Sequence, residues 1–277
     1  MRNAAPQRLM FRALFLGPAV LLTAAPLVTG MAYALHGGGR NGLADLYALA
    51  ALPLFRSSVL FSLCIALVTS VIASLSGAFL AYLFCEKIQG RLILAKVLVM
   101  LPYLAAASLA ANAFGDSGLA AHLVKVFYPG LRTLGIRYHP LGLGVIITCL
   151  YKQIPFVFLT MAVVFFDIRK QFQETARTLG VGSWDMFWRV FLPLGRRPFA
   201  GVAILLFQFT LFSYEGFAFL GPSAPKGLGE LLVLLYYSAD AESKSLALTL
   251  CGIEFVFSLI SAAALALVML YGRKKEQ

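Results

Sequence analysis

Residues 57–84 read SSVLFSLCIALVTSVIASLSGAFLAYLF, a run without one charged side chain. At the ~1.5 Å rise of an α-helix the run is longer than the ~30 Å hydrocarbon thickness of a bilayer. It is also far too long for a barrel strand. Hydrocarbon holds no water to take up free backbone groups, so a segment of this kind is a helix that satisfies its own N–H and C=O groups.

Comparable runs recur along the chain. Of 277 residues, 60% are hydrophobic and only 13% charged, against about 25% charged in soluble domains. Six spans are expected, at about 13–35, 57–84, 92–114, 141–166, 198–220 and 246–271. The chain is therefore all-α, a polytopic membrane protein with six transmembrane helices. Arg2, Arg8 and Arg12 precede the first span and would suit a signal peptide. That span is longer than an ordinary signal core and no small-x-small cleavage site is well placed, so it reads as a retained helix.

The net charge of +11 raises nucleic acid as a partner, but its distribution points elsewhere. With the N-terminus inside, fifteen of the 23 basic residues fall in cytoplasmic segments, seven in outer segments, and Lys152 within a span. This asymmetry follows the positive-inside rule and puts both termini in the cytoplasm of a plasma membrane. Topology accounts for the basic charge, and no nucleic-acid partner is needed. Residues 1–277 form one transmembrane domain in this reading, with a core of about 57–271 and a cytoplasmic loop of about 167–197. The outer segments near 36–56, 115–140 and 221–245 read as loops.

Cys64, Cys85, Cys149 and Cys251 lie in or beside spans without paired spacing, and read as small apolar residues. His36, His122 and His139 are scattered in outer segments, so no metal site is expected. The run from His36 to Gly42 lacks the Lys-Ser/Thr of a phosphate loop. Ser70, Ser74 and Ala78 fall at i, i+4 and i+8, as do Ser258, Ala262 and Ala266. Such rows of small side chains let membrane helices approach closely. Ser74-Leu75-Ser76-Gly77 superficially matches part of an ATPase signature, but inside an apolar span it belongs to the same packing pattern.

The cytoplasmic loop carries the most specific signal. Ile168, Phe172, Ala176 and Leu179 recur at helical spacing, with Arg169, Lys170, Gln173, Glu174 and Arg177 around them. Gly180 and Gly182 break that helix, and Ser183 is a candidate N-cap for a second. There Trp184, Phe187, Trp188 and Phe191 make an aromatic stripe at i, i+3, i+4 and i+7. On physics alone, such a basic amphipathic loop would lie on anionic lipid.

The spacing Glu174-Thr175-Ala176, three residues, Gly180, nine residues, Val190-Phe191-Leu192-Pro193 resembles the loop of inner-membrane permease subunits of binding-protein-dependent ABC importers. Their pattern is Glu-Ala-Ala, three residues, Gly, nine residues, Ile-x-Leu-Pro; Thr175 and Val190 are the departures. Pro155-Phe156 ahead of the loop is similar too, and the resemblance covers nearly the whole chain. It is to the type I fold, closest to the polyamine, thiamine and ferric-iron group.

The resemblance implies a non-enzymatic chain in the bacterial inner membrane. Its partners would be two ATPase subunits that bind ATP and Mg, a second permease subunit (identical or homologous), and an extracytoplasmic solute-binding protein. The chain itself would hold no cofactor. Glu174, Thr175 and Ala176 would sit at the ATPase docking surface, Gly180 would make the turn, and Leu192-Pro193 would set the angle of the fifth span.

Lys152, beside Gln153, lies in the fourth span, where a charge costs roughly 2.5–3.5 kcal/mol on insertion scales. It is expected to pair with Glu254 at similar depth, to line the pathway, or to snorkel. Lys152, Gln153, Glu215 and Glu254 are thus the candidate pathway residues. Glu215, Glu230, Asp240 and Glu242 near the outer face suit a cationic solute, or equally a basic patch on the binding protein. The alternative is an ion-coupled secondary transporter working without ATP. It would need intramembrane ion sites and, in many folds, an inverted repeat, which is not evident here.

Overall fold

In a computed structural model, which describes residues 28, 32, 42–85, 95–115, 118–128, 135–178 and 182–270, every element is a helix. In chain order these are α1 (Gly42–Ala51), α2 (Pro53–Phe84), α3 (Tyr103–Phe114), α4 (Leu119–Phe127), α5 (Leu143–Thr178) and α6 (Ser183–Met186). A π-helical turn (Phe187–Phe191) follows, then α7 (Leu192–Leu194), α8 (Arg196–Leu211), α9 (Glu215–Leu220), α10 (Leu228–Tyr236) and α11 (Ala241–Leu270). Residues 95–100 are helical as well.

Among the described residues, three helices are long and apolar enough to cross a membrane: α2, Leu143–Phe172 of α5, and Ala241–Val268 of α11. The segments Trp184–Leu194 and Arg196–Leu211, bent by 80°, add a fourth if they form one span. The first expected span lies outside the described residues apart from positions 28 and 32. The third is not continuous. Helix 95–100 stops at Leu101-Pro102 and α3 starts anew at Tyr103, because proline has no N–H to carry the ladder on. The fifth also breaks, at Phe212–Tyr214 between α8 and α9. Each of the three expected outer loops contains a short helix, α1, α4 or α10.

The chain forms two compact units, residues 1–52 with 232–257 and residues 53–231 with 258–277. In the described part of the first, the hydroxyl of Ser245 on α11 donates to buried Asp45 of α1 at 2.6 Å. In the second unit α2 packs along α5, and the small-residue row decides how closely. Ser70, Ser74 and Ala78 are all buried. Next to them, a β-carbon added to Gly77 would lie 2.5 Å from Cβ of Val157, so the two backbones meet where there is no side chain. Pro155 sits inside α5 without ending it. The second row behaves differently: Ser258 is half-buried, while Ala262 and Ala266 are exposed on α11.

Candidate functional site

The loop begins as a direct extension of a membrane helix. α5 runs on to Thr178 and carries Glu174, Thr175 and Ala176 in its last turns. Gly180 lies outside the described residues. The chain is described again from Gly182, whose carbonyl accepts the Met186 N–H at 3.0 Å as α6 opens.

The aromatic stripe does not form one face. The helix widens into a π turn, in which the Leu192 N–H reaches back five residues to the Phe187 carbonyl. Phe187 and Phe191 are buried, whereas Trp184 is 62% and Trp188 41% exposed. Phe191 stacks edge-on against Tyr82 (4.8 Å between centroids) and Phe165 (5.4 Å), and Phe187 against Phe79 (5.4 Å). Arg169 closes this cluster from α5. Its guanidinium donates to the Tyr82 carbonyl at 3.1 Å and lies 5.2 Å from the Tyr82 ring and 5.6 Å from Phe191. A cation at the C-terminal end of α2 also suits the helix dipole. The outgoing and returning limbs of the loop are thus tied to the end of α2.

Leu192 is half-buried and Pro193 exposed in α7, and the sharp change of direction falls just beyond them. At Gly195 a β-carbon would lie 2.9 Å from the Phe165 ring and 3.1 Å from the Phe191 carbonyl. Sequence reading missed Gly195 and Arg169. Gly195 had a signal, as a lone glycine between Leu-Pro-Leu and Arg-Arg-Pro; Arg169 was one basic residue among several.

The second unit also holds a cavity of about 590 Å³, lined by Tyr103, Lys152, Gln153, Phe156, Gln208 and Ser258 among mostly apolar side chains. Lys152 does not project a free charge into it. Its ammonium donates to the carbonyls of Leu98 (3.1 Å) and Val99 (3.0 Å) and to that of Leu101. The partner that an intramembrane cation needs is supplied here by backbone oxygens. Gln153 is buried and donates to Thr210 Oγ1 at 2.6 Å, joining α5 to α8, while its Oε1 has no hydrogen-bond partner. Tyr103 and Cys149 share a hydrogen bond of 3.1 Å, and Gln208 bonds to Ser258.

The structure therefore brings Lys152 and Gln153 together on the cavity. Glu215 opens α9, half-buried, and is not among the residues that line the cavity. Glu254 is half-buried on α11 in the other unit. Of the four outer acids, Glu230 is paired with Lys226. Asp240 caps α11 by accepting the Ser243 N–H at 2.8 Å. Hydrogen bonds from Ser243, side chain and backbone, hold the Asp240 carboxyl below its ordinary value. Among the described residues no group of three or more His, Cys, Asp or Glu side chains is placed to hold a metal ion.

Long apolar helices, a helix-borne loop between two of them and a cavity among them are the features of a polytopic membrane protein. Residues 92–274 match the family of binding-protein-dependent transport system inner membrane components, and the chain belongs to that family. It is 28% identical over 166 residues to the probable sulfate transport system permease protein cysT of Chlorokybus atmophyticus, covering 58% of this chain and 55% of that one. It is 29% identical over 136 residues to the molybdenum transport system permease protein ModB of Azotobacter vinelandii, covering 49% and 58%. The chain spans about half the length of the curated relatives it matches.

Among solved structures, it is similar to a bacterial ABC transporter involved in the import of the acidic polysaccharide alginate. The TM-score is 0.72 at 13% identity, over 98% of this chain and 99% of that one. A second similar structure is the alginate transporter in complex with alginate pentasaccharide-bound periplasmic protein, again with a TM-score of 0.72 at 13% identity, over 98% and 94%. These two likenesses are of fold.

Proposed function

We propose that the chain is the transmembrane permease subunit of an ABC importer in the plasma membrane, with both termini in the cytoplasm. A small solute arrives on an extracytoplasmic binding protein and crosses between this chain and a second permease subunit, identical or homologous. Two separate ATPase subunits, which bind ATP and Mg, dock on the loop. The observation that carries this reading is the loop itself. Glu174 to Ala176 ride on a helix continuous with the membrane span, and the return limb is clamped by Arg169 and the buried phenylalanines. A movement imposed at the loop is passed to α5 and α8 as to a lever.

For the solute, the relatives support a small anion such as sulfate or a molybdenum oxyanion over the polyamine- or thiamine-like cation expected from the family resemblance and the outer acids. The outer acids support this too, since Glu230 and Asp240 are engaged within the chain. Gln153, a buried polar side chain in the cavity lining, is the first pathway contact we assign. Glu215 and Glu254 remain further candidates.

Uptake of labelled sulfate, molybdate, spermidine and thiamine by cells with and without the chain tests both levels. ATP-dependent anion uptake that disappears with the chain supports the proposal. Loss of cation uptake alone overturns the anion assignment. Uptake that survives ATP depletion but not collapse of ion gradients favours the ion-coupled alternative.

A further inference from the structure

The three proton-bearing directions of the Lys152 ammonium meet three carbonyls that are short of donors. In the helix 95–100, the Val97 carbonyl accepts the Leu101 N–H at 3.2 Å. The next acceptor, Leu98, would look to residue 102, which is proline and has no N–H. Val99 and Leu101 lie on the same interrupted turn, and α3 restarts with the Ala106 N–H on the Pro102 carbonyl at 3.0 Å. The carbonyls of Leu98, Val99 and Leu101 are the ones that Lys152 takes. Orphan carbonyls at a helix end need such partners most where water is absent. A lysine, with three donors and no acceptor, matches them one for one.

We propose that Lys152 is a positioning residue that clasps the break at Pro102, and not a contact for solute. By holding the interrupted turn against α5, the clasp fixes Tyr103, the first residue beyond the break. Tyr103 lines the cavity and bonds to Cys149. Lys152 therefore shapes the cavity wall through backbone. The assignment stands on the geometry of the break and holds whichever solute crosses.

The test uses the full chain in mild detergent, as wild type, Lys152→Met, Lys152→Arg, Pro102→Ala and the Lys152→Met/Pro102→Ala double variant. The readouts are the thermal midpoint and the rate at which N-ethylmaleimide labels Cys149, located by mass spectrometry because Cys64 is exposed. Lys152→Met is expected to lower the midpoint by about 4 °C or more and to speed Cys149 labelling several-fold, as the Tyr103 contact opens. Lys152→Arg, which keeps donors at the break, recovers most of both.

Pro102→Ala gives the Leu98 carbonyl a helix partner again but leaves those of Val99 and Leu101 to Lys152, so the double variant should be clearly less impaired than Lys152→Met in both readouts. Should Lys152→Met fail to accumulate, accumulation of the double variant carries the same meaning. A Lys152→Met protein as stable and as slowly labelled as wild type would overturn the proposal. So would a double variant as impaired as Lys152→Met.

Discussion

Val157 of α5 sits directly over Gly77 of α2: a β-carbon on Gly77 would stand 2.5 Å from Cβ of Val157 and 2.9 Å from the Ile154 carbonyl oxygen. Neither neighbour can swing aside, because one atom is fixed to a helix backbone and the other belongs to it. Gly77→Ala is expected to destabilise the solubilised protein by about 1–3 kcal/mol, the usual cost of overpacking, in spite of the better helix propensity of alanine. Gly182→Ala, where a β-carbon would meet nothing within 4 Å, should leave the melting curve unchanged. Thermal melts of the two variants side by side make the comparison.

The aromatic residues of the loop should separate into two groups. Phe191 is fully buried between Tyr82 and Phe165, and Phe191→Ala should cost about 3–5 kcal/mol. Trp184 is mostly exposed and makes edge contacts with Phe79 and Trp188, so Trp184→Ala should cost less than about 1.5 kcal/mol. Denaturation in detergent, followed by circular dichroism, distinguishes them. Equal losses would mean that the π turn does not divide the stripe.

Arg169 should be irreplaceable in a specific way. Arg169→Met removes a charged donor from the Tyr82 carbonyl and two ring contacts. The expected loss is about 1.5–3 kcal/mol, typical of a hydrogen bond to a charged group. Arg169→Lys should restore only part of it, because an ammonium cannot lie flat over a ring while donating to the carbonyl. The midpoints of the three proteins give the order wild type, then lysine, then methionine.

Much of this was legible in the sequence, and the exceptions have physical causes. Absence of charge over residues 57–84 was enough to establish a membrane helix, and the spacing of Ser70, Ser74 and Ala78 was enough to name its packing face. Prolines were harder. Pro102 and Pro155 both lie in expected spans, yet only Pro102 ends a helix. The difference rests on partners distant in sequence, and Lys152 serves the broken turn from fifty residues away. The helix that leads into the loop was readable from periodicity, while its expected break at Gly180 lies outside the described residues. The burial of Phe187 and Phe191 apart from the two tryptophans was not readable, because a π turn changes the very period on which such a reading depends. Likewise, the charge of Lys152 called for a partner without saying that the partner would be backbone.

A pH effect is expected at the start of α11. Asp240 has its carboxyl held below the ordinary 3.8 by Ser243, so its capping contribution is present above that value. It is lost as pH falls through the depressed one. Hydrogen exchange of the amides at 241–245 should therefore be faster in Asp240→Ala than in wild type at pH 7, with the difference fading well below pH 3.8. A difference that persists undiminished in acid would show that the carboxylate is not the cap.

The most direct test of the transport reading is co-purification of the tagged chain with its ATPase after gentle extraction, using wild type, Glu174→Arg and Gly180→Trp. The account predicts that an ATPase subunit travels with the wild type and is lost from both variants, while their thermal midpoints stay close to that of wild type. An ATPase retained in full by both variants, or none found with the wild type, would contradict it.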